Sequence, residues 1–221
     1  MSANLLMVNP DPGPLAQELL DSGADILLLQ EYSSRWDEAL ETVAARYPHR
    51  VGIVRDDSFG TAIYSRVPLL YDQIWEIDEL PQTRVRVALG SGELEIWNVH
   101  VLPPRNLDYI RAHSAEMDLL KDALLLTDTP LLLGGDLNSP GFSPFSRAIQ
   151  RKYDDAWDLA GDGPGATWPN GVFFLPPLRL DHLYLSRDLT VTEITRGTGA
   201  HSDHRPLLAT VAPRVGGELC P

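Results

Sequence analysis

The chain has 221 residues, 43% of them hydrophobic, enough to bury one sizeable core. Eighteen Lys+Arg against thirty-one Asp+Glu leave a formal net charge of −13, which repels polyanions at long range and argues against tight nucleic-acid binding. A lone cysteine, Cys220, excludes a disulfide framework or a cysteine-rich zinc site, and no apolar run reaches the length of a membrane span.

Taken in order, Leu5-Leu6-Met7-Val8 predicts a short or frayed first strand close to the terminus, and the proline-rich stretch 9–14 reads as a loop. Leu15, Leu19 and Leu20 have helical spacing, and Gly23 closes that helix. Asp25 to Glu31 is an apolar strand ending in Gln30 and Glu31. Ser34-x-x-Asp37 resembles a capping box for a helix that Pro48 ends. Strands are predicted over 50–55, 61–65, 69–77 and 83–89, with Gly90-Ser91-Gly92 as a hairpin turn into Leu94 to His100. In that last strand Asn98 and His100 share a face with Leu94 and Ile96. Asn106 is placed to cap the longest helix, to about Leu126, with Leu107, Ile110, Met117, Leu120 and Leu124 inward.

Leu131-Leu132-Leu133 then reads as a strand buried on both faces, and it runs through Gly134-Gly135 into Asp136 and Asn138. Ser143-Pro144 starts a helix with Phe145, Ile149 and Tyr153 inward. Strands over 178–185, 190–195 and 206–211 complete the pattern, with Ser202-Asp203-His204 in the loop before the last of them. Strands cluster without strict βαβ alternation, so two packed sheets with outer helices fit better than a doubly wound parallel sheet. Residues 1–213 are expected to form one domain, and 214–221 a loose tail.

One habit recurs: an apolar strand carries acid, amide or imidazole at one end. It holds for Asn4, for Glu31, for Asn98 with His100, for Asp136 with Asn138, and for Asp181 with His182. If these ends meet at one rim, the crowded carboxylates repel and raise one another's pKa unless a cation sits among them. An oxygen-rich, sulfur-free set suits Mg2+ or Mn2+ better than zinc, and a hard cation beside histidines and amides suits phosphoryl chemistry. Singly, each residue has a plainer reading: Glu31 as a solvated charge, Asp181 as a turn cap, His100 or His182 as a satisfied core histidine.

Together, Gln30-Glu31, Asn98-Val99-His100, Gly134-Gly135-Asp136-Leu137-Asn138, Leu180-Asp181-His182 and Ser202-Asp203-His204-Arg205-Pro206 resemble the endonuclease/exonuclease/phosphatase, or DNase I-like, superfamily. Phe59-Gly60-Thr61-Ala62-Ile63-Tyr64-Ser65-Arg66-Val67-Pro68 resembles an internal strand of the same family, and Thr167-Trp168-Pro169 resembles a segment of many bacterial members.

The resemblance implies an α/β four-layer sandwich: two packed mixed β-sheets flanked by helices. It implies a metal held by Glu31 with Asp203 and Asn4 nearby. Asp136 and Asn138 would orient water and phosphate. His204, held by Asp181, would act as general base or phosphate-polarising imidazole, and His100 would contact a phosphate oxygen. Asn98 and Arg105 are the substrate-binding candidates, with Arg66, Arg179 and Arg205 as further rim cations.

The implied activity is Mg2+- or Mn2+-dependent hydrolysis of a phosphate ester by a monomer, with a non-specific nuclease or a non-catalytic binding module as alternatives. An acyl hydrolase is disfavoured because no Gly-x-Ser-x-Gly elbow occurs. The expected setting is a soluble, cytoplasmic domain without a signal peptide. Its abrupt start also suggests excision from a longer, membrane-anchored bacterial protein.

Overall fold

The structure, a computed structural model, describes residues 1–90, 92–172, 174–215 and 218–219. In chain order the first elements are β1 (Ser2–Asn4), α1 (Gly13–Asp21), β2 (Ile26–Gln30), α2 (Ser34–Ala39), α3 (Glu41–Ala44), β3 (His49–Ile53), β4 (Thr61–Ser65), β5 (Leu69–Ile77) and β6 (Leu80–Leu89). They continue with β7 (Gly92–His100), α4 (Leu107–Leu126), β8 (Leu131–Asp136), α5 (Pro144–Ile149), β9 (Tyr153–Asp155), α6 (Ala156–Ala160), β10 (Asp181–Ser186), β11 (Leu189–Arg196), β12 (Leu207–Val215) and β13 (Glu218–Leu219).

Two mixed sheets lie face to face. One runs β11-β12-β1-β2-β4-β3, with β13 paired to β12; the other runs β5-β6-β7-β8-β10-β9. Each contains one parallel pair, β1 with β2 and β7 with β8. The apolar runs divide by parity, as a strand covered on both faces must. Leu28, Ile63, Ile96, Leu132 and Leu183 fill the layer between the sheets. Leu27, Leu29, Ala62 and Tyr64 face the other way with Leu15, Leu19 and Trp36, on the side of α1 and α2. Leu131, Leu133, Trp97 and Tyr184 cluster with Met117, Leu120 and Leu124 of α4. The result is the expected four-layer sandwich.

Several boundaries differ from the sequence reading. The first strand is Ser2–Asn4, earlier than the apolar Leu5–Val8, and Leu6 turns the chain away at φ 59. It does not fray, because β1 lies inside the sheet between β2 and β12. The first cap in the Ser33-Ser34 pair is Ser33, whose side chain accepts from Trp36 N at 3.4 Å. Ser34 instead donates its hydroxyl to Asp56 at 2.9 Å, and Asp37 pairs with the Tyr32 hydroxyl. β12 runs past the expected boundary to Val215, and 218–219 pair back to it. The hairpin residue Ser91, and Gly216, Gly217, Cys220 and Pro221 of the expected tail, lie outside the described residues. Asn106 caps α4 as expected, accepting from Asp108 N and Tyr109 N. Met117, Leu120 and Leu124 are buried, but Leu107 and Ile110 are exposed, because the first turn of α4 carries them away from the core.

Candidate active site

Strand register builds the site. In β7, β8 and β10, His100 pairs with Asp136 and Asp136 pairs with Asp181, so three titratable side chains stand in one row across neighbouring strands. Asp136 has the parity of Leu132, so it closes the end of the layer between the sheets. From the facing sheet, Asn4 donates to Asp136 Oδ2 at 3.0 Å and to Glu31 Oε1 at 3.4 Å. The loop before β12 is tied to the same strand end, with Ser202 donating to the Asn4 carbonyl at 2.8 Å and His204 N to Ser202 Oγ at 3.1 Å. That loop delivers the His204 ring, whose Nδ1 donates to Asp181 Oδ2 at 2.7 Å while Nε2 lies 3.6 Å from Asp136 Oδ2.

The electrostatics follow from burial and proximity. Burial would push His204 down, but Asp181 and Asp136 beside it carry it up to about 10. Burial raises the Asp136 carboxyl, with His204 opposing. Burial lowers His100 against the pull of Asp136, whose Oδ2 lies 3.7 Å from its Nε2. Glu31 is raised first by burial and further by Asp203, against hydrogen bonds from Met7 N and Asn4. Glu31 and Asn138 both adopt left-handed backbone, at φ 57 and 47. Such strain persists only where surroundings enforce it, and here each residue's neighbourhood is tied down. Met7 N donates to Glu31 Oε2 at 2.8 Å, Asn138 N to Asp136 Oδ1 at 2.8 Å, and Asn138 Nδ2 to the Val101 carbonyl at 2.9 Å.

These groups open onto a cleft of about 520 Å3, lined among others by Glu31, His100, Arg105, Asp136, Asn138, Asp203 and His204. The donor set fits a divalent cation. Glu31 and Asp203 repel one another, and Asp203 Oδ1 is buried without a hydrogen-bond partner. A second grouping, Asp136, Asp181 and His204, brings ligand-type atoms within 4.8 Å of one another and is also compatible with a metal. There, however, one Asp181 oxygen and His204 Nδ1 are already joined at 2.7 Å, which favours the Glu31 and Asp203 side. Asn4, expected near the metal, meets the carboxylates through its amide NH2. Its oxygen accepts from Leu6 N at 3.0 Å, and its NH2 bridges two carboxylates.

Two of the candidate substrate groups fare differently. Arg105 lines the cleft. Asn98 does not: it is fully buried, its NH2 contacts the Leu29 and Ala62 carbonyls at 3.0 Å, and its oxygen accepts from Gln30 at 2.6 Å. It cross-links the sheets one layer below the cleft. Arg66 points elsewhere, donating to the Gly23 carbonyl at 3.0 Å. Arg179 is held by Asp155 at 3.1 Å and Asp158 at 2.9 Å. Arg205 donates to Asn170 at 3.1 Å and is absent from the cleft wall. His182 is the satisfied core histidine of the plainer reading, with Asp155 at 3.2 Å on one nitrogen and the Ser139 carbonyl at 2.9 Å on the other.

Sequence reasoning assigned no role to Thr167, Trp168 or Phe59. Thr167 Oγ1 accepts from Leu180 N and Asp181 N, its carbonyl accepts from Arg205 N, and Trp168 Nε1 donates to Asp203 Oδ2 at 3.3 Å. This one segment therefore positions both Asp181 and the Asp203–His204 loop. Phe59 lies over the His100 ring at 5.5 Å. Only the family-like motifs around Thr167-Trp168-Pro169 and Phe59-Gly60 signalled these residues.

The Arg105 loop is clamped to α4. Buried Glu116 accepts from Leu102 N at 2.9 Å, and His113 Nδ1 donates to the Leu102 carbonyl at 2.7 Å. Burial raises the Glu116 carboxyl from 4.5 to about 7. The unfolded chain therefore ionises first as pH rises, so stability falls across that interval and the penalty is complete above it. Glu116→Gln should match the wild type below that window and exceed its unfolding free energy above it by up to about 3 kcal/mol. Urea titrations at acid and alkaline pH measure this, and a pH-independent difference would refute it.

A scan against family models matches the Endonuclease/Exonuclease/phosphatase family over residues 1–204. The chain belongs to the endonuclease/exonuclease/phosphatase family. Members of this family are generally hydrolases and typically depend on a divalent metal. A comparison with curated proteins finds no significant match.

Among solved structures, D. rerio TDP2 complexed with single strand DNA product superposes with a TM-score of 0.79 at 17% identity, covering 95% of this chain and 96% of that one. An endonuclease/exonuclease/phosphatase from Beutenbergia cavernae DSM 12333 gives 0.77 at 16%, covering 96% of this chain and 70% of that one. A functionally unknown conserved protein from Enterococcus faecalis V583 gives 0.75 at 21%, covering 91% and 90%. These likenesses establish the DNase I-like fold. No helix among the described residues is long and apolar enough to cross a membrane.

Proposed function

We propose that this family member hydrolyses a phosphate ester with Mg2+ or Mn2+. The observation that carries the reading is the row His100, Asp136 and Asp181 on adjacent strands, with His204 bonded to Asp181 at 2.7 Å and with His100, Asp136 and His204 lining one cleft with Glu31 and Asp203. Glu31 and Asp203 would hold the cation, which supplies positive charge to a phosphate oxygen when bound.

The chain's own groups divide the remaining work. His204, kept charged by Asp181 and Asp136, donates from Nε2 to an oxygen that gains negative charge. Asp136, fixed by Asn138 N and Asn4, orients the attacking water and accepts its proton. Neutral His100 steadies a non-bridging oxygen, and Asn138 holds the turn that places Asp136.

Among the described residues Arg105 is the one arginine of the cleft wall, which favours one phosphate at a time over a tracked polyanion. In the test, purified protein with Mg2+ or Mn2+ turns over bis(p-nitrophenyl) phosphate or a phosphomonoester, and EDTA abolishes turnover. Undiminished turnover in EDTA would end the metal reading. A single-stranded DNA arm addresses the nuclease alternative.

A further inference from the structure

Two residues beyond Trp168, outside the cleft wall, stands the half-buried Asn170. It binds the loop that carries Asp203 and His204 from both sides of that pair in the chain. Its NH2 group donates to the carbonyls of Thr198 at 2.9 Å, Gly199 at 3.0 Å and Ser202 at 3.1 Å. Its side-chain oxygen accepts from Arg205 Nε at 3.1 Å, and its backbone N donates to the Asp203 carbonyl at 2.7 Å.

The shape of the loop creates the need for such a hub. Gly199 and His201 adopt left-handed backbone, at φ 60 and 61. The chain doubles back so tightly that a Cβ on Gly199 would lie 2.0 Å from the His204 carbonyl oxygen. The oxygens of Thr198, Gly199 and Ser202 therefore converge on one point, where their dipoles repel. An amide settles them with its two N–H donors and also offers the acceptor that Arg205 uses, which lysine or arginine lacks. Glu18 of α1 holds the same loop by its other groups, accepting from Thr198 N at 2.6 Å and Gly199 N at 3.1 Å. Glu18 thus grips N–H groups of the loop while Asn170 grips its carbonyls.

We propose that Asn170 is a positioning residue of the active site. By fixing the carbonyls of their loop it sets where Asp203 and His204 stand, and it touches neither cation nor substrate itself. The proposal rests on the phosphoesterase reading above and extends it to a residue outside the cleft. Asp203 and His204 serve different ends of that chemistry, so one displaced loop weakens both cation binding and the chemical step.

The test compares the full chain with its Asn170→Asp and Asn170→Ala variants in four measurements. They are kcat and KM on bis(p-nitrophenyl) phosphate, Mn2+ affinity by titration calorimetry, the hydrogen-bonded His204 Nδ1–H by proton NMR, and the urea midpoint. Asn170→Asp keeps the shape, removes both donors and sets a carboxylate against three carbonyl oxygens. It should lower kcat and Mn2+ affinity about 10–100-fold with KM within ~2-fold, and the Nδ1–H resonance should broaden or move. Asn170→Ala opens the carbonyls to water and should fall between that variant and the wild type. The urea midpoint should stay near that of the wild type, because the loop lies outside the apolar layers. Glu18→Ala frees the loop from its other side and should act in the same direction; it serves if both Asn170 variants fail to fold.

A folded Asn170→Asp with wild-type kcat, Mn2+ affinity and Nδ1–H resonance would overturn the proposal, as would losses that merely follow a lowered urea midpoint. Failure of the wild type to cleave any phosphate ester with either metal would instead strike the phosphoesterase reading, while the His204 resonance would still judge Asn170.

Discussion

Asp136→Asn should lower kcat by about 10^2–10^4-fold while leaving the fold intact. The two oxygens of Asp136 meet Asn4, His100, His204 and Asn138 N. Asparagine keeps the shape but cannot take a proton from water or hold His204 charged. Its stability cost is small because the two terms oppose. Burial already disfavours the Asp136 carboxylate, and removing that charge offsets one poor donor–donor contact with Asn4. Unfolding free energy within ~1 kcal/mol of wild type is the expected result.

His204→Ala should cost a similar factor, and the double variant little more than either alone, because groups that act as one unit are not additive. Steady-state kinetics beside a urea titration measures both sides. Wild-type kcat in folded Asp136→Asn would remove Asp136 from the chemistry.

Gly135→Ala should prevent stable folding or lower stability by at least about 3 kcal/mol. Gly135 sits at φ 139, a conformation that L side chains rarely adopt, and an added Cβ would lie 1.9 Å from the Val99 carbonyl oxygen. Val99 belongs to β7, which is paired on both edges and cannot retreat. Any relief would open the β7–β8 ladder that sets His100 beside Asp136.

The neighbouring Gly134→Ala provides the contrast. Its Cβ would meet Leu28 Cδ1 at 2.5 Å and Leu183 Cδ2 at 2.8 Å, both ends of rotatable side chains. A loss of about 1–3 kcal/mol is expected there. Chemical denaturation of the two variants ranks them, and a milder effect at Gly135 than at Gly134 would contradict this account.

Much of this architecture is written locally. The apolar runs in β2, β4, β8 and β10 are buried on both faces, which is why the two-sheet sandwich with outer helices was legible. Asn106 and Ser143 announce their helices because a cap needs only a side chain three residues from the N–H it satisfies. The polar strand ends also pointed to one rim, and Asn4, Glu31, His100, Asp136, Asn138, Asp181, Asp203 and His204 do converge in space.

What local pattern leaves open is depth and competition. Asn98 and Asn138 are both amides at apolar strand ends, yet one is sealed between the sheets and the other lines the cleft. Alternation along a strand names the face a residue occupies, not how far the opposing sheet reaches over it. That reach is set by β2 and β4, whose carbonyls meet Asn98 from residues 69 and 36 positions away in the chain. Arg179 looked as free as Arg105 until Asp155 and Asp158 were brought against it. Ser34 lost the capping role to Ser33 because Asp56 competes for its hydroxyl.

The sequence by itself determined the layers, the polar strand ends and the family. Only the tertiary structure decided register, and with it the row of His100, Asp136 and Asp181. Register depends on hydrogen bonds between strands far apart in the chain, and a slip of one residue would turn the whole row to the opposite face.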